Sequence, residues 1–561
     1  MGIMGKSRKR IGQEYVALFL QDKSKIKQNL KMFNSLSHAI FFWEKGITSV
    51  MTKFVQIVGI GLMLGGGGVA SAAQRPNILF IAVDDLKPVL GCYGDKVAKT
   101  PNIDKLAARG MLFEKAYVNQ AVCAPSRNSL MLGIRPQTMG LYDLKTYFRD
   151  IPVYSNAVSM GQTFIKNGYE VESLGKIYHA SLNDKPSWSV PNWESKGETY
   201  AIEENRAAMK GEKGTTTEAG DVADNYYQDG KIAEEAMARL RAKKEKPDQP
   251  FMMMVGFHKP HLPFVAPKKY WDQFKPEQFS LPEFRAAPEG SPAYALGESG
   301  EIMQYKKLPV EELPFPDDFA RHLIHGYYAA TSYTDAQIGK VVSALDELGL
   351  AENTFIVLWG DHGWRLGDHG KWCKHTNYEQ ATRIPILISG PGIKPGQRTS
   401  ALIETVDLYP TLLELTGQAM PETGIAGMGL DGKSMVPVLK DPSQKVNEYV
   451  FHAYPRAEKT DDTKRKLIGR AVRNDRYRLV EWKEPNDPPE KAAIELYDYQ
   501  TDPLEKKNLA QENPELVTKL RAVLAKLPEA KPQMGNEGAP ESGYEKKDKK
   551  KKKKDKSGDG E

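Results

Sequence analysis

The chain has 561 residues, of which 40% are hydrophobic and 9% aromatic, and its formal net charge is +6. This length and apolar content exclude a wholly disordered chain and suit a large globular domain with an appendage, or more than one domain. The positive charge belongs to the two ends, because residues 1–73 hold 10 Lys or Arg against 3 acids, and residues 546–561 hold 9 Lys against 4 acids. The body between them is therefore mildly acidic, which excludes a basic nucleic-acid-binding surface.

The amino-terminal region has the pattern of an export signal. Met51-Thr52-Lys53 precede the apolar run Phe54–Leu64, and Ala70-Ser71-Ala72-Ala73 follow as small residues. These are the regions of a secretory signal, and the run is too short and too glycine-rich for a stable membrane span. We expect residues 51–73 to direct the protein to the periplasm or the medium. Residues 1–50 are then an extension from a misplaced start codon, a long basic n-region or an uncleaved anchor.

The first predicted strand is the continuous apolar run Asn77–Val83. Such a run is typical of a strand that is buried on both faces of a parallel sheet. It ends in Asp84-Asp85, at the carboxyl end of a strand where α/β sheets place ligand sites. Adjacent acids repel each other unless a cation or a proton separates them, so the pair is a candidate metal site, with a surface Asp-Asp turn as the alternative.

The stretch Cys123-Ala124-Pro125-Ser126-Arg127 is the central motif of the chain. A proline two residues after the cysteine suits the first turn of a helix, which we predict to continue over Ser126–Leu132. Cys123 would then lie at a helix N-terminus, where backbone N–H groups and the helix dipole favour an anion. The alternative is a buried structural cysteine before an ordinary proline-started helix.

Two loops in the middle of the chain combine basic side chains with turn residues. After a predicted helix over Ala157–Asn167, Lys176 and His179 could both face an anion. The predicted strand Phe251–Phe257 runs into His258-Lys259-Pro260-His261, and histidines and prolines directly after a buried strand indicate a rigid exposed loop that carries function. His261 could equally serve only to stabilise that loop.

A second strong signal follows the predicted strand Thr354–Trp359. The strand runs into Gly360-Asp361-His362-Gly363-Trp364, and Lys374 lies further on. Ligand-type residues again end a buried strand, and the glycines permit close approach of the backbone to a ligand.

The rest of the chain predicts a smaller second unit. After a strand over Ile384–Ser389 and a helix over Asp407–Thr416, short alternating segments predict an antiparallel sheet. Its predicted strands are Tyr449–Ala453, Ala471–Arg473, Tyr477–Trp482 and Glu495–Tyr499, with a closing helix over Pro514–Leu527. We therefore predict a main domain over 74–440, a C-terminal subdomain over 441–530 and a disordered Lys-rich tail over 531–561.

The order of these motifs resembles the type I sulfatase family, and within it the iduronate 2-sulfatase branch. The motifs Asp-Asp, C-x-P-x-R, Gly-Lys-x-x-His, His-Lys-Pro-His, Asp-His-Gly-Trp and a downstream Lys follow one another between about Arg75 and Ala510. The resemblance implies an alkaline-phosphatase-like α/β sandwich with a small C-terminal antiparallel sheet. It also implies that Cys123 is oxidised to Cα-formylglycine, whose hydrate attacks sulfur and afterwards expels sulfate.

The family's roles carry over onto residues of this chain. The implied ligands of one Ca²⁺ ion, with Mg²⁺ less suitable, are Asp84, Asp85, the modified Cys123, Asp361 and His362. The residues implied to stabilise the hydrate are Arg127, Lys176 and His179. Those implied to contact the sulfate and the leaving oxygen are His258 and Lys374, with His258 as the general acid.

We therefore predict an exported sulfatase that hydrolyses sulfate monoesters of saccharides, with a 2-O-sulfated uronic acid or related sugar as substrate. Its other predicted partner is a formylglycine-generating enzyme, or an anaerobic equivalent. The loop Tyr142–Arg149 and Trp364 are predicted to offer groups for a carboxylated sugar. Two alternatives are a phosphate or phosphonate ester hydrolase of the same superfamily and a glycan-binding pseudo-enzyme. Cys123 favours the sulfatase, because phosphatases of the superfamily more often carry Ser or Thr there.

The cysteine content excludes a disulfide scaffold. The chain has 3 cysteines, and a small secreted domain held together by disulfides would need many more. If Cys123 is modified, Cys92 and Cys373 could pair or stay free.

Overall fold

The computed structural model describes residues 75–208, 213–421, 427–459 and 464–535, so the predicted signal segment and residues 536–561 of the predicted tail lie outside it. The strands, in chain order, are β1 (Asn77–Val83), β2 (Met111–Tyr117), β3 (Glu170–Gly175), β4 (Thr217–Gly220), β5 (Phe251–Phe257), β6 (Phe264–Pro267), β7 (Thr354–Gly360), β8 (Arg365–Leu366), β9 (Trp372–Cys373), β10 (Arg383–Ser389), β11 (Gln397–Glu404), β12 (Val450–Lys459), β13 (Lys464–Arg473), β14 (Tyr477–Lys483) and β15 (Ala493–Asp498). The α-helices are α1 (Pro101–Ala108), α2 (Cys123–Leu132), α3 (Pro136–Met139), α4 (Met160–Lys166), α5 (Glu203–Ala208), α6 (Gln228–Lys244), α7 (Lys268–Trp271), α8 (Asp317–Glu347), α9 (Glu379–Thr382), α10 (Leu408–Leu415), α11 (Val436–Lys440) and α12 (Pro514–Leu524).

A seven-stranded sheet in the order β11-β2-β10-β7-β1-β5-β3 forms the centre of the structure. β1 is parallel to both of its neighbours, β5 and β7, as its continuous apolar run predicts. β10 is antiparallel to both β7 and β2, so the sheet is mixed rather than parallel throughout. The reversal arises because the chain leaves β7, forms residues 361–382 at one edge of the sheet and re-enters at that same edge as β10.

Helices cover both faces of this sheet. Alternate side chains of β1 enter two apolar clusters, because successive residues of a strand point to opposite faces. Leu79, Ile81 and Val83 pack with side chains of α1, α6 and α8 on one face. Ile78 and Phe80 pack with side chains of α2, α4, α10 and α11 on the other. The predicted α/β sandwich is confirmed.

A separate four-stranded antiparallel sheet, in the order β12-β13-β14-β15, follows in the chain. This confirms the predicted C-terminal sheet, although β12 and β13 are ten residues long where five and three were predicted. One of its faces is apolar and packs on α12 through Leu479, Leu496 and Leu520. The domain boundary at residue 440 stays a prediction.

The first residues of the predicted tail belong to the folded unit. The Lys531 N–H donates to Gln137 O at 3.0 Å, and the Met534 N–H donates to Gly140 O at 2.7 Å. The prediction of disorder from residue 531 is therefore wrong for these residues, because backbone hydrogen bonds tie them to α3. Among the described residues, none of the helices is long and apolar enough to cross a membrane.

Candidate functional site

Four strand ends of the central sheet meet at one edge. The register pairs Val83 at the end of β1 with Gly360 of β7 and Phe257 of β5. Backbone hydrogen bonds continue this alignment past the strands, from Asp361 N to Val83 O at 3.1 Å and from Lys176 N to Gly256 O at 3.0 Å. The ligand-type residues that follow these strands in the sequence are thereby brought together, as predicted.

Cys123 is the first residue of α2, and every residue of that helix is buried. The predicted helix is confirmed, and it begins at the cysteine itself. Cys123 Sγ lies 3.2 Å from His362 Nε2, 3.5 Å from Asp84 Oδ1 and 3.6 Å from Lys176 Nζ. Burial, followed by the charge of Asp84, raises the pKa of the Cys123 thiol to about 12. The unmodified side chain is therefore protonated at neutral pH and is a poor nucleophile.

All three cysteines are free thiols.

Arg127 lies one helical turn after Cys123, on the same side of α2. Its guanidinium is fully buried and donates through Nε to Asp361 Oδ2 at 2.9 Å and through a terminal nitrogen to Asp84 Oδ1 at 3.2 Å. The other terminal nitrogen donates to the carbonyls of Lys176 and Ile177. Arg127 thus connects the ends of β1, β3 and β7 and neutralises two buried carboxylates.

The adjacent carboxyls of Asp84 and Asp85 have opposite electrostatic environments. Burial raises the pKa of both groups. At Asp84 the positive charges of Lys176, His261 and Arg127 outweigh burial, and the pKa falls well below its usual range. At Asp85 burial prevails over Lys374 and His362, and the pKa is well above its usual range.

The ligand cluster, defined as Asp84, Asp85, Cys123, Asp361 and His362, has the donor atoms that a divalent cation needs. His362 Nδ1 donates to Gly363 O at 3.0 Å, so the lone pair of Nε2 points away from that bond. It faces Cys123 Sγ, Asp85 Oδ1 at 3.3 Å and Asp361 Oδ1 at 3.6 Å.

These acceptor atoms face one another with too few donors between them. Asp85 Oδ1 is buried and accepts no hydrogen bond from the described residues, although Lys374 Nζ lies 3.1 Å from it. The ligand atoms of Asp84, Cys123, Asp361 and His362 all lie within 4.8 Å of one another, as do those of Asp84, Asp85, Cys123 and His261. Such a cluster fits a metal ion, and its carboxylate oxygens suit Ca²⁺ or Mg²⁺. The predicted metal ligands are thus brought together.

Lys374 and His261 meet on the other side of Asp85, at a carboxylate that the sequence did not reveal. Lys374 Nζ lies 3.1 Å from Asp85 Oδ1 and 2.8 Å from Glu301 Oε2, and His261 Nε2 lies 3.0 Å from Glu301 Oε1. Glu301 is buried in an irregular segment between β6 and α8. No motif or periodic pattern surrounds it, which is why sequence analysis missed it.

His258 directly follows β5 and is held by a second unpredicted carboxylate. Asp229 Oδ1 accepts a hydrogen bond from the His258 backbone at 2.8 Å and lies 3.3 Å from His258 Nδ1. Asp229 Oδ2 also accepts from Lys259 N at 2.8 Å. In the sequence Asp229 looks like an ordinary acid in the first turn of a helix, but it fixes the histidine loop. The His258 side chain keeps 32% of its surface exposed.

His179 lies near Lys176 and Asp84 but is not part of the ligand cluster. Burial, and then the charge of Lys176, lowers the pKa of His179 to about 3, so the imidazole is neutral. Its Nδ1 is buried and makes no hydrogen bond within the described part of the chain.

Three side chains expected to face a sugar are instead structural. Trp364 is fully buried beneath Lys374, with Nζ 4.7 Å from the ring centre. Arg149 forms an ion pair with Asp184, and the buried Tyr142 donates through its hydroxyl to a backbone carbonyl. The expectation is wrong for these three side chains, because aromatic and cationic residues of one loop can satisfy one another internally.

Comparisons with known proteins give consistent results. The family profile described as Sulfatase matches residues 76–418, and a profile described as N-sulphoglucosamine sulphohydrolase, C-terminal, matches residues 367–530. The iduronate 2-sulfatase of Homo sapiens is 32% identical over 511 residues, which cover 78% of this chain and 92% of the relative. The Delta 4,5-hexuronate-2-O-sulfatase of Bacteroides thetaiotaomicron is 28% identical, covering 80% of this chain and 87% of the relative. A solved structure described as a 2-O GAG sulfatase has a TM-score of 0.60 and 25% identity, covering 81% and 92% of the two chains.

Proposed function

Because the chain belongs to the sulfatase family and is a sulfuric ester hydrolase, we propose that its substrate is a 2-O-sulfated uronic acid, or a related pyranose, of a sulfated polysaccharide. The observation that carries the proposal is Cys123, a buried protonated thiol at a helix N-terminus beside the ligand cluster and Lys176. An oxidised and hydrated side chain at position 123 would have an oxygen close to both the ligand cluster and Lys176. The 2-O position is supported by the names of three relatives that each cover more than three quarters of the chain.

We propose that one oxygen of the hydrated formylglycine at position 123 attacks sulfur, while the bond between sulfur and the sugar oxygen breaks. His258 gives a proton to the departing sugar oxygen, and Asp229 orients its ring. The second hydroxyl of the hydrate then loses its proton, the aldehyde re-forms and the bond to sulfate breaks. Water restores the hydrate. Lys176 and Lys374 place fixed positive charge beside the sulfate oxygens.

We propose that the ligand cluster binds one divalent cation, with Ca²⁺ favoured over Mg²⁺. When bound, the ion polarises the sulfate oxygens and favours the ionised form of the attacking oxygen. Arg127 does a separate task, since it fixes Asp84 and Asp361 relative to each other.

We further propose that the protein is exported to the periplasm or secreted, and that a formylglycine-generating enzyme, or an anaerobic equivalent, converts Cys123. The support for export is the sequence of residues 51–73, which lie outside the described residues. The support for conversion is the C-x-P-x-R motif together with family membership.

The test measures release of inorganic sulfate from matched 2-O-, 4-O- and 6-O-sulfated saccharides, by ion chromatography. The enzyme is co-produced with a formylglycine-generating enzyme, and mass spectrometry of the peptide that contains Cys123 quantifies the aldehyde. We expect the highest kcat/KM for the 2-O ester, and no turnover by Cys123→Ala. A preference for 4-O or 6-O esters, or for a simple aryl or choline sulfate over every sugar, would refute the substrate proposal and leave the family membership standing.

A further inference from the structure

Glu301 is a buried carboxylate with 2% of its surface exposed, and it joins two basic side chains at the edge of the ligand cluster. It lies 2.8 Å from Lys374 and 3.0 Å from His261. We propose that Glu301 is a positioning residue, which aims Lys374 at the sulfate group and fixes His261 beside it. This inference rests on the proposed function, because it assigns a role to the surroundings of the same site.

The position of Lys374 between two carboxylates gives Glu301 its importance. Lys374 Nζ is 3.1 Å from Asp85 Oδ1, but Asp85 is also a candidate metal ligand. A cation in the ligand cluster competes with the lysine for that carboxylate, since both are positive charges on one acceptor group. Glu301 is then the carboxylate that holds the ammonium group. Lys374 Nζ donates to Asp85 Oδ2 at 3.2 Å and forms an ion pair with Glu301 Oε2 at 2.8 Å. Because an ammonium group has three N–H donors, this arrangement leaves an N–H for a sulfate oxygen.

The segments that carry Glu301 and Lys374 are fastened together beside this pair. Ser299 Oγ donates to Trp372 O at 3.0 Å and accepts from Trp372 N at 2.9 Å. Glu301 and Lys374 each lie two residues beyond this reciprocal pair of hydrogen bonds. The Trp364 ring supports Lys374 from another side at 4.7 Å. The ammonium group is therefore confined by backbone contacts and packing as well as by charge.

The buried Arg365 and the half-buried Arg456 strengthen the same connection. Arg365 donates to Leu296 O at 3.0 Å and to Trp372 O at 3.4 Å. Arg456 of β12 donates to Tyr294 O at 2.8 Å and also to the carbonyl of His375. Their described hydrogen-bond acceptors are carbonyl oxygens, so these arginines bind backbone to backbone. A segment that only covered the protein surface would not require two such guanidinium groups to hold it.

A purely structural role for Glu301 makes a different prediction from a positioning role. If Glu301 only neutralised the buried Lys374, it would stabilise the fold. Loss of the Glu301 charge would then lower the Tm and leave the kcat of the folded enzyme unchanged. A positioning role requires a lower kcat in folded protein, and it requires that the effect depends on Lys374. Double-mutant cycles separate these cases, because residues that act through one another give non-additive effects.

The experiment compares Glu301→Gln with Glu298→Gln, a control on the same loop whose side chain is 91% exposed and lies 3.7 Å from Lys371. The kcat and KM are measured with whichever sulfate ester the wild type cleaves best. We expect Glu301→Gln to lower kcat by about 10- to 100-fold, by analogy with the loss of one fixed charge-stabilising group. Metal content and the aldehyde fraction at position 123 should match the wild type, and Glu298→Gln should behave as the wild type. If Glu301→Gln does not fold, Glu301→Asp, which keeps the charge and shortens the reach, takes its place and should still lower kcat below that of the wild type.

The second arm repeats Glu301→Gln in a Lys374→Ala background. We expect less than a threefold further loss of kcat there, because the group that Glu301 positions is gone. Wild-type kcat in folded Glu301→Gln, or an equal loss in both backgrounds, would overturn this inference. A wild type that prefers an ester other than the 2-O-sulfate would overturn only the proposed substrate, since the Glu301 comparison is made on the ester that is cleaved.

Discussion

At the scale of single residues, Asp361 has more partners in the ligand cluster than its position after a strand suggests. Its side chain accepts from Asp85 N at 2.9 Å and from Arg127 Nε at 2.9 Å, and it lies 3.6 Å from His362 Nε2. The Asp361 carboxylate therefore forms an ion pair with Arg127 and is also a candidate ligand of the cation.

Asp361→Asn should lower both metal content and sulfate release, because it removes one negative charge from the ligand cluster at nearly constant volume. We expect less than half of the wild-type metal per chain by plasma mass spectrometry and at least a 10-fold loss of activity by analogy with other fixed charges. Asp346→Asn is the matched control, since Asp346 pairs with Arg109 at the surface. Wild-type metal content in Asp361→Asn would show that this carboxylate is not a ligand.

Asp229→Asn tests whether His258 delivers the proton to the sugar. With a less well oriented ring, kcat on a sulfated saccharide should fall by about 10-fold. With 4-nitrophenyl sulfate, whose phenolate leaves without a proton, kcat should change less than threefold. His258→Ala should show the same contrast with a larger loss on the saccharide, of about 100-fold or more. Equal losses on the two substrates would argue for a structural role.

The sequence predicted single residues well where they follow a buried strand or belong to a motif, and poorly where they do neither. Asp84 and Asp361 could be predicted because a buried strand carries each of them to a known edge of the sheet. Glu301 and Asp229 could not, since each becomes important through a partner 73 or 29 residues away in the chain, namely Lys374 and His258. Trp364 was misplaced because composition does not say which way an aromatic ring faces.

At the scale of elements, two glycines allow β3 and β5 to present Lys176 to the ligand cluster. Gly175, at the end of β3, has a φ of +67°, which favours glycine. A Cβ added to it would lie 2.2 Å from Gly256 O, and one added to Gly256 would lie 2.1 Å from Lys176 O. The strands therefore approach as closely as their backbones permit.

Gly256→Ala should destabilise the protein and displace Lys176, because the new methyl group must push against a backbone carbonyl. Overpacking of this kind costs about 1–3 kcal/mol, which thermal unfolding detects. Gly429→Ala is the control, since a Cβ there meets nothing within 4 Å. Equal Tm values for the two variants would contradict the close approach of these strands.

In the central sheet, strands with uniform apolar character were predicted, whereas mixed ones were missed. β1, β5 and β7 are buried along their whole length and appear as apolar runs. β3 was missed because it contains Glu172, whose charge is neutralised by Arg239 and Lys243 of α6. Single-sequence patterns cannot supply such a partner from a distant helix. β2 and β11, which also carry charged residues, were missed in the same way.

At the scale of the whole molecule, the C-terminal sheet meets the central unit through buried charges. Arg478 of β14 is fully buried and lies 2.7 Å from Glu505 and 3.0 Å from Glu379, the first residue of α9. Glu379 also pairs with Arg473 at 3.2 Å. These ion pairs join the sheet to the segment that follows Lys374.

Arg478→Met should lower the free energy of unfolding by about 3–5 kcal/mol, because it leaves the buried carboxylate of Glu505 without its ion-pair partner. Sulfate release should fall with it, since α9 and the segment before it lose an anchor. Arg476→Met is the matched control in the same hairpin, where an exposed arginine pairs with Asp498, and it should leave the Tm almost unchanged. A similar Tm for both variants would show that the buried network does not hold the two units together.

The sequence predicted the C-terminal sheet but not this polar interface, because ion pairs between distant segments leave no periodic pattern.

The reversed strand β10 has a consequence for how such enzymes can diversify. The chain between Gly360 and Arg383 leaves the sheet at the end of β7 and re-enters it beside that strand as the antiparallel β10. The two ends of this excursion are joined by a hydrogen bond from Gly363 N to Ala381 O at 2.8 Å. Asp361, His362 and Lys374 all belong to this single excursion. Its two anchor points are fixed by strand pairing whatever its length. The excursion is therefore a cassette, which evolution or loop grafting can lengthen, shorten or exchange between relatives while the register of the supporting strands is preserved.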